Sequence, residues 1–168
     1  MATGRPTGSA TVVATVRELL EDVRDPEIPV LTLADLGVLR DVAVEGGCVT
    51  VTIPPTYSGC PAMHTMEADV RRVLAEAGYR DVVVKTRLAP AWTTDWLTPA
   101  AHAKLRSVGI APPVSVTTDK RALLGQDVPC PRCASRRTEK VSEFGSTACK
   151  ALYRCRDCLE PFDYFKCL

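Results

Sequence analysis

The chain has 168 residues, of which 46% are hydrophobic and 24% charged, and its formal net charge is +1. This composition is that of a folded globular protein with room for one ordinary domain and a smaller one. The charge gives no strong attraction to nucleic acid or membrane lipid, and no apolar run approaches the roughly 20 residues of a membrane span. The first ten residues lack the apolar core of a signal peptide, so we expect a cytoplasmic protein.

The sequence begins with a predicted helix and a predicted β-hairpin. Apolar residues recur at helical spacing over residues 11–23, and the helix should end before Pro26, since the residue before a proline disfavours helix. Two β-rich runs, 38–44 and 48–53, are separated by Glu45-Gly46-Gly47. Turn residues between two such runs predict a hairpin.

A loop and a second helix are expected after the hairpin. Residues 54–60 contain two prolines and a glycine, which are incompatible with a central strand. Pro61 should open an amphipathic helix that Gly78 ends, because glycine commonly follows the last helical residue. Residues 81–88 are predicted as a third strand. After a loop over 90–97, the pair Thr98-Pro99 has the cap-and-first-residue pattern of a short helix that ends near Ser107.

The order of these elements predicts the fold class and the domain limits. Helix, hairpin, helix, strand and helix together make a small α+β domain over residues 9–110. Residues 111–127 lack clear periodicity and are predicted to be a linker. Six of the eight cysteines follow residue 128. This change in composition indicates a second, cysteine-rich domain over residues 128–168.

Two Cys-x-x-Cys units in the second domain have the spacing of metal ligands. Each unit can direct two thiolates at one ion, and two units complete a tetrahedral site. A domain of this size buries too little apolar surface to fold alone, so metal binding should supply the missing stability. We expect a zinc-ribbon-like domain whose hairpin arms are 138–144 and 150–154. The predicted ligands are Cys130, Cys133, Cys155 and Cys158.

The residues alone leave the identity of the metal open. Zinc is favoured because four thiolates complete its shell, and an iron–sulfur cluster is the alternative because thiolates also bind iron. Cys149 and Cys167 could be additional ligands, ligands of such a cluster, or neighbours of the site. Unligated cysteines or two disulfides are a further alternative, which a reducing compartment disfavours.

Cys60 is a candidate functional thiol. It directly precedes Pro61, the expected first helical residue, and would therefore occupy the N-cap position. Amide groups and the helix dipole favour a thiolate there, so we expect a lowered pKa for Cys60. His64 follows four residues later on the same helix face and could support this thiol. The alternatives are a small buried cysteine that only packs and an ordinary exposed histidine.

Several motifs together resemble known protein families. Over about residues 10–110 the chain is similar to iron–sulfur assembly domains of the SufT and MIP type. That resemblance is carried by the hairpin and by the motifs Asp25-Pro26-Glu27, Asp35-Leu36-Gly37-Val38 and Ser58-Gly59-Cys60-Pro61. Residues 90–96, 144–155 and 160–167 resemble the PaaD family, which belongs to bacterial phenylacetyl-CoA epoxidase systems.

The resemblance implies an accessory protein of aerobic phenylacetate degradation that helps to assemble or insert an iron–sulfur or iron centre. It implies transient binding of iron or a cluster at Cys60, and it places Asp25 and Glu27 in the family's second recurrent motif. The implied partners are the iron–sulfur flavin reductase and the di-iron oxygenase subunits of the epoxidase system. A homodimer is also possible, whereas no nucleic-acid or membrane partner is expected.

Catalysis by this chain alone is not expected. The sequence contains no Glu-x-x-His pair of the di-iron type and no glycine-rich nucleotide motif. Two alternatives to a maturation factor stay open. One is a structural adaptor of the oxygenase complex whose metal only holds its fold, and the other is a thiol enzyme that uses Cys60 and His64.

Overall fold

The computed structural model describes residues 10–57, 59–114 and 128–166, and the chain forms two compact units that divide between Trp92 and Thr93. Each unit has its own β-sheet. Among the described residues, no helix combines the length and the apolar character that crossing a membrane requires.

The first unit is a three-stranded sheet with two helices. Its elements are α1 (Ala10–Leu20), β1 (Asp41–Glu45), β2 (Cys48–Ile53), α2 (Ala62–Glu76) and β3 (Val82–Thr86). The strands lie in the order β1-β2-β3, with β1 antiparallel and β3 parallel to β2. Parallel neighbours require a crossover connection, and α2 supplies it. The predicted α+β class is confirmed.

The alternation of residues in β2 shows why the sheet packs on one face. Val49, Val51 and Ile53 are completely buried, whereas the residues between them are partly exposed. This period of two directs one set of side chains into the core. On the helices the buried residues recur at helical spacing: Val16 and Leu20 in α1, and Ala62, Met66, Val70 and Leu74 in α2.

The second unit is a four-stranded sheet preceded by a helix. Its elements are a short 3₁₀ turn (Thr94–Trp96), α3 (Pro99–Ser107), β4 (Ile110–Ala111), β5 (Thr138–Ser142), β6 (Lys150–Cys155) and β7 (Pro161–Phe165). The strand order is β4-β7-β6-β5, with β4 parallel to β7 and the other neighbours antiparallel. The Thr98 hydroxyl accepts a hydrogen bond from the Ala101 amide at 3.1 Å and caps α3, as its sequence pattern predicts.

The division between the units differs from the limits expected from the sequence. The predicted first domain over 9–110 includes α3 and the first residue of β4, but in the structure both elements belong to the second unit. The reason is that Ile110–Ala111 pairs with Asp163–Tyr164 in β7. Of the predicted linker 111–127, Ala111 lies in β4, and residues 115–127 lie outside the described residues.

The core of the second unit forms around a fully buried tyrosine. The Tyr153 ring stacks on Phe162 with ring centroids 5.8 Å apart and meets the Tyr164 ring edge-on at 5.4 Å. Cys130 and Cys155 belong to the same buried cluster. Two of the four candidate metal ligands are therefore anchored directly in the core of the sheet.

Candidate metal centre and the Cys60 loop

Two knuckles bring four cysteine sulfurs together in the second unit. All four Sγ atoms lie within 4.8 Å of one another, and all four residues are free thiols. The Cys130 and Cys158 sulfurs are 3.7 Å apart, and the Cys133 and Cys155 sulfurs are 3.6 Å apart. Each close pair joins one knuckle to the other. The donor set and its spacing therefore fit a bound metal, which four thiolates would coordinate.

The two knuckles share one backbone geometry. In each, the amide of the first cysteine donates to the carbonyl of the fifth residue after it, from Cys130 to Ser135 at 2.9 Å and from Cys155 to Glu160 at 3.0 Å. The residue that follows the second cysteine is left-handed in both: φ is 61° at Ala134 and 64° at Leu159. Residues other than glycine, asparagine and aspartate seldom adopt this conformation, so both knuckles hold backbone strain.

Backbone amides stabilise negative charge on one sulfur in particular. The amides of Cys158 and Asp157 donate to the Cys155 sulfur, and the pKa of Cys155 falls to about 6. The Glu160 amide lowers the pKa of Cys158, but burial and the neighbouring thiols raise it to about 12. The Ser135 amide likewise lowers the pKa of Cys133, but burial and the neighbouring thiols outweigh it, so the pKa of Cys133 is raised. A cation is needed to ionise all four sulfurs together.

Surface ion pairs connect the second knuckle to strand β5. One oxygen of Glu139 accepts a hydrogen bond from the Arg154 guanidinium at 2.6 Å, and the other accepts one from Arg156 at 2.7 Å. Arg156 and then Arg154 lower the pKa of Glu139. Asp157 pairs with Arg137 at 2.7 Å and accepts a hydrogen bond from the Ser135 hydroxyl. The last contact joins the two knuckles through side chains.

Cys149 is not part of the four-sulfur group. Cys149 is buried, and its sulfur lies 3.1 Å from the Thr147 hydroxyl. Cys167 lies outside the described residues. Of the eight cysteines, Cys48 is partly exposed in β2 of the first unit.

Cys60 lies in a turn that leads into α2. Its side chain is 7% exposed. Its amide donates to the Tyr57 carbonyl at 3.2 Å, and its carbonyl accepts from the Met63 amide at 3.3 Å. Gly59 has φ of 79°, a left-handed conformation that turns the chain immediately before Cys60. Ser58, which also belongs to the motif, lies outside the described residues.

The position of Cys60 relative to the helix differs from the prediction. The N-cap residue is Pro61, which has helical dihedral angles of −67° and −24°, so Cys60 lies one residue before the cap. No side chain caps the first turn of α2. His64 is exposed, and no hydrogen bond joins it to Cys60 within the described chain.

Asp25 organises the loop between α1 and β1. Its Oδ1 atom accepts hydrogen bonds from the Glu27 and Ile28 amides, both at 2.7 Å, and its own amide donates to the Leu31 carbonyl at 2.9 Å. Asp25 is 8% exposed, whereas Glu27 is partly exposed. A buried carboxylate with these partners shapes the loop around Pro26.

Asp35, the first residue of the Asp35-Leu36-Gly37-Val38 motif, is a second acidic residue in this loop, and its hydrogen-bonding role was not predicted from the sequence. Asp35 Oδ2 accepts hydrogen bonds from the Thr32 amide at 2.9 Å and the Thr32 hydroxyl at 3.1 Å, and that hydroxyl accepts from the Asp35 amide. The three-residue spacing of a threonine and an acid is the pattern of a capping box, so the signal was present. Trp92 then covers the loop, and its indole donates to the Leu36 carbonyl at 2.8 Å.

Comparison with known proteins connects both parts of the chain to one system. Residues 13–85 match the model of the family described as "Iron-sulfur cluster assembly protein", and residues 113–166 match the "PaaD zinc beta ribbon domain". The chain is 52% identical over 150 residues to the D component of the "Putative 1,2-phenylacetyl-CoA epoxidase" of Escherichia coli (strain K12). The match covers 89% of this chain and 90% of that protein. The chain belongs to the PaaD family of epoxidase components.

A solved structure supports the fold of the PaaD-family chain. A "Domain of Unknown Function DUF59" from Bacillus anthracis superposes with a TM-score of 0.53 at 24% sequence identity. The superposition covers 56% of this chain and 92% of that structure. The resemblance inferred from the Cys60 motif and the C-terminal cysteines is thus confirmed at the level of family and fold.

Proposed function

We propose that this PaaD-family protein is an accessory factor, not itself an enzyme, that helps to assemble or insert an iron–sulfur or iron centre in the phenylacetyl-CoA epoxidase system. One observation carries the proposal: an iron–sulfur assembly domain matches residues 13–85 of a chain that is 52% identical to an epoxidase component. The clients are the iron–sulfur flavin reductase and the di-iron oxygenase subunits of that system.

In this proposal Cys60 binds the cargo transiently. Cys60 lies in the turn one residue before Pro61, the N-cap of α2, and no side chain caps the first turn of that helix. A single thiolate cannot hold a cluster alone, so the remaining ligands would come from the carrier or the client. Asp25 is already bonded to the Glu27 and Ile28 amides, and we assign it to the shape of the loop.

For the second unit we propose one structural zinc ion. Four sulfurs about 2.3 Å from a single ion form a tetrahedron with edges of ~3.8 Å. The close pairs at 3.6 and 3.7 Å, and the 4.8 Å limit for all pairs, support this arrangement. The ligands of an iron–sulfur cluster bind different iron atoms, so their sulfurs must lie further apart.

The test replaces Cys60 by serine and uses Cys48→Ser as the matched control. Both changes remove one sulfur from the first unit and no large apolar group. We expect Cys60→Ser cells to grow poorly on phenylacetate and to yield a reductase or an oxygenase with incomplete iron, while Cys48→Ser cells behave normally. Normal growth with fully loaded enzymes in Cys60→Ser cells would contradict the proposal.

The same experiment separates the alternatives. If growth fails while both enzymes carry full iron, the structural-adaptor function is favoured, with Cys60 at a contact surface. The thiol-enzyme alternative gains no support, because His64 is exposed and forms no hydrogen bond to Cys60 in the part of the chain described.

A further inference from the structure

Solvent exposure divides the four clustered cysteines into two kinds. Cys130 and Cys155 are 2% and 0% exposed, whereas Cys133 and Cys158 are open to solvent. Each knuckle therefore has one sheltered sulfur and one that a dissolved oxidant can reach. The contacts of Cys130 with Cys158 at 3.7 Å and of Cys133 with Cys155 at 3.6 Å each join the sheltered sulfur of one knuckle to the exposed sulfur of the other.

The two knuckles are held opposite each other by contacts that need no metal. The Arg156 amide donates to the Arg137 carbonyl at 2.7 Å, and the Arg137 guanidinium pairs with the Asp157 carboxylate at 2.7 Å. The Ser135 hydroxyl also donates to Asp157. Because these contacts lie beside the cysteines, the paired sulfurs stay opposed without an ion. A bond between them requires an approach from 3.6 or 3.7 Å to about 2.05 Å.

We propose that the four-cysteine site is also a modification site for hydrogen peroxide, at which oxidation joins the cysteines across the knuckles and releases the metal. The proposal rests on the structural zinc proposed above and is independent of the assembly role of Cys60. The exposed sulfurs of Cys133 and Cys158 are the points of attack. The sheltered sulfurs of Cys155 and Cys130 resolve the oxidised intermediate.

The reaction consumes one peroxide molecule for each disulfide. The thiolate of Cys133 or Cys158 attacks a peroxide oxygen, the O–O bond breaks, and a sulfenic acid and a hydroxide ion form. The sheltered thiolate opposite then attacks the sulfenic sulfur, so that the S–S bond forms, the S–O bond breaks and a second hydroxide ion leaves. Both hydroxide ions take up protons and become water. The two sulfurs lose two electrons in total, and the two peroxide oxygens gain them.

One disulfide is enough to empty the site. It removes two of the four anionic ligands, and the two thiolates that are left cannot complete a tetrahedral shell. The ion then leaves, and the second unit loses the stability that metal binding supplies. A small thiol reverses the change, because a disulfide is reopened by the attack of another thiolate on an accessible sulfur. The site would therefore report peroxide by a reversible loss of metal.

The first test measures zinc release from the full-length zinc-loaded protein. Hydrogen peroxide is added in the presence of a chromophoric chelator, with a peroxide-free sample to correct for spontaneous loss. We expect nearly complete release, and full recovery of zinc content after treatment with dithiothreitol and added zinc. Cys149→Ser is the matched control, because Cys149 is 6% exposed in the same unit and lies outside the four-sulfur group. It should release zinc at a rate within about twofold of the parent.

The second test identifies which cysteines are joined. Trypsin cleaves after Arg132 and Arg156, which lie between the two cysteines of their respective knuckles, so each of the four cysteines falls in a separate peptide. Mass spectrometry of the unreduced digest should find two joined pairs of peptides, 122–132 with 157–166 and 133–136 with 155–156. Trapping with dimedone early in the reaction should label the sulfenic acid on Cys133 or Cys158 and leave Cys130 and Cys155 unlabelled.

Each contrary outcome overturns a definite part of the reasoning. Retention of zinc at a peroxide concentration that fully oxidises glutathione would overturn the modification site and leave the structural zinc standing. Peptides joined within one knuckle, or release through sulfinic acids without any disulfide, would also overturn the proposal. Failure of the parent to bind zinc stoichiometrically would overturn both the modification site and the structural zinc. The growth and iron-loading experiment on Cys60→Ser decides the proposed function separately in every case.

Discussion

Relief of the strain in the two knuckles should tighten metal binding. Leu159 and Ala134 have φ of 64° and 61° immediately after the ligands Cys158 and Cys133. A left-handed residue other than glycine costs about 1–2 kcal/mol, and glycine in its place costs about 0.5–1 kcal/mol through greater freedom of the unfolded chain. Leu159 is 70% exposed, so its replacement loses little burial. The expected net gain is about 0.5–1 kcal/mol for Leu159→Gly and for Ala134→Gly.

The gain is measurable as zinc affinity because metal binding and folding of so small a unit are coupled. About 0.5–1 kcal/mol corresponds to roughly a two- to fivefold lower Kd in competition with a chromophoric chelator. Leu159→Val is a control with the opposite expected effect. A β-branched residue tolerates positive φ less well than leucine, so this variant should bind zinc more weakly than the parent. The strain argument would be refuted if both glycine variants bound zinc more weakly than the parent and Leu159→Val bound it equally well.

Three further predictions concern the cysteines and the histidine. Replacement of Cys130 or Cys158 by serine should abolish stoichiometric zinc and expose the chain beyond residue 127 to protease; full metal content and unchanged proteolysis would refute the site. Cys158, with a pKa near 12, and Cys133, with a raised pKa, hold protons at pH 7. At least two protons should therefore be released per ion, and affinity should fall by at least about 100-fold per unit decrease in pH, as titrations in several buffers would show. His64→Ala should leave growth on phenylacetate and iron loading nearly normal, and complete loss with a folded protein would show that His64 has a larger role.

Local signals explain how much of the fold the sequence predicts. The helix α2 and the strand β2 follow from the repeat of apolar residues, and the capped start of α3 follows from Thr98-Pro99. The four ligands in the second unit follow from spacing alone, since two residues between cysteines suffice to define a knuckle. In all these cases the information lies within a few residues of the structure that it determines.

The features that the sequence did not predict depend on distant partners or on backbone conformation. β4 has only two residues, and its strand character comes from pairing with β7 more than fifty residues later. In β7 the buried residues Phe162 and Tyr164 are two positions apart, which is the spacing of a strand. The run has only five residues and directly follows the second knuckle, so this pattern is too short to predict a strand. The left-handed conformations at Ala134 and Leu159 are invisible in the sequence, because the usual signal for such a position is glycine.

The four clustered cysteines and Cys60 have different surroundings, and this difference supports different roles for the two units. Cys130 and Cys155 are fixed in the core beside Tyr153, and their partners Cys133 and Cys158 complete a site with four thiolates, which suits an ion that stays bound. Cys60 stands apart from any such group in the described chain and lies in a turn before an uncapped helix. A solitary thiol binds a metal weakly and releases it readily, as a transfer step requires. Under the proposed function, the second unit would keep its metal as part of its fold, and the first unit would handle the metal that moves.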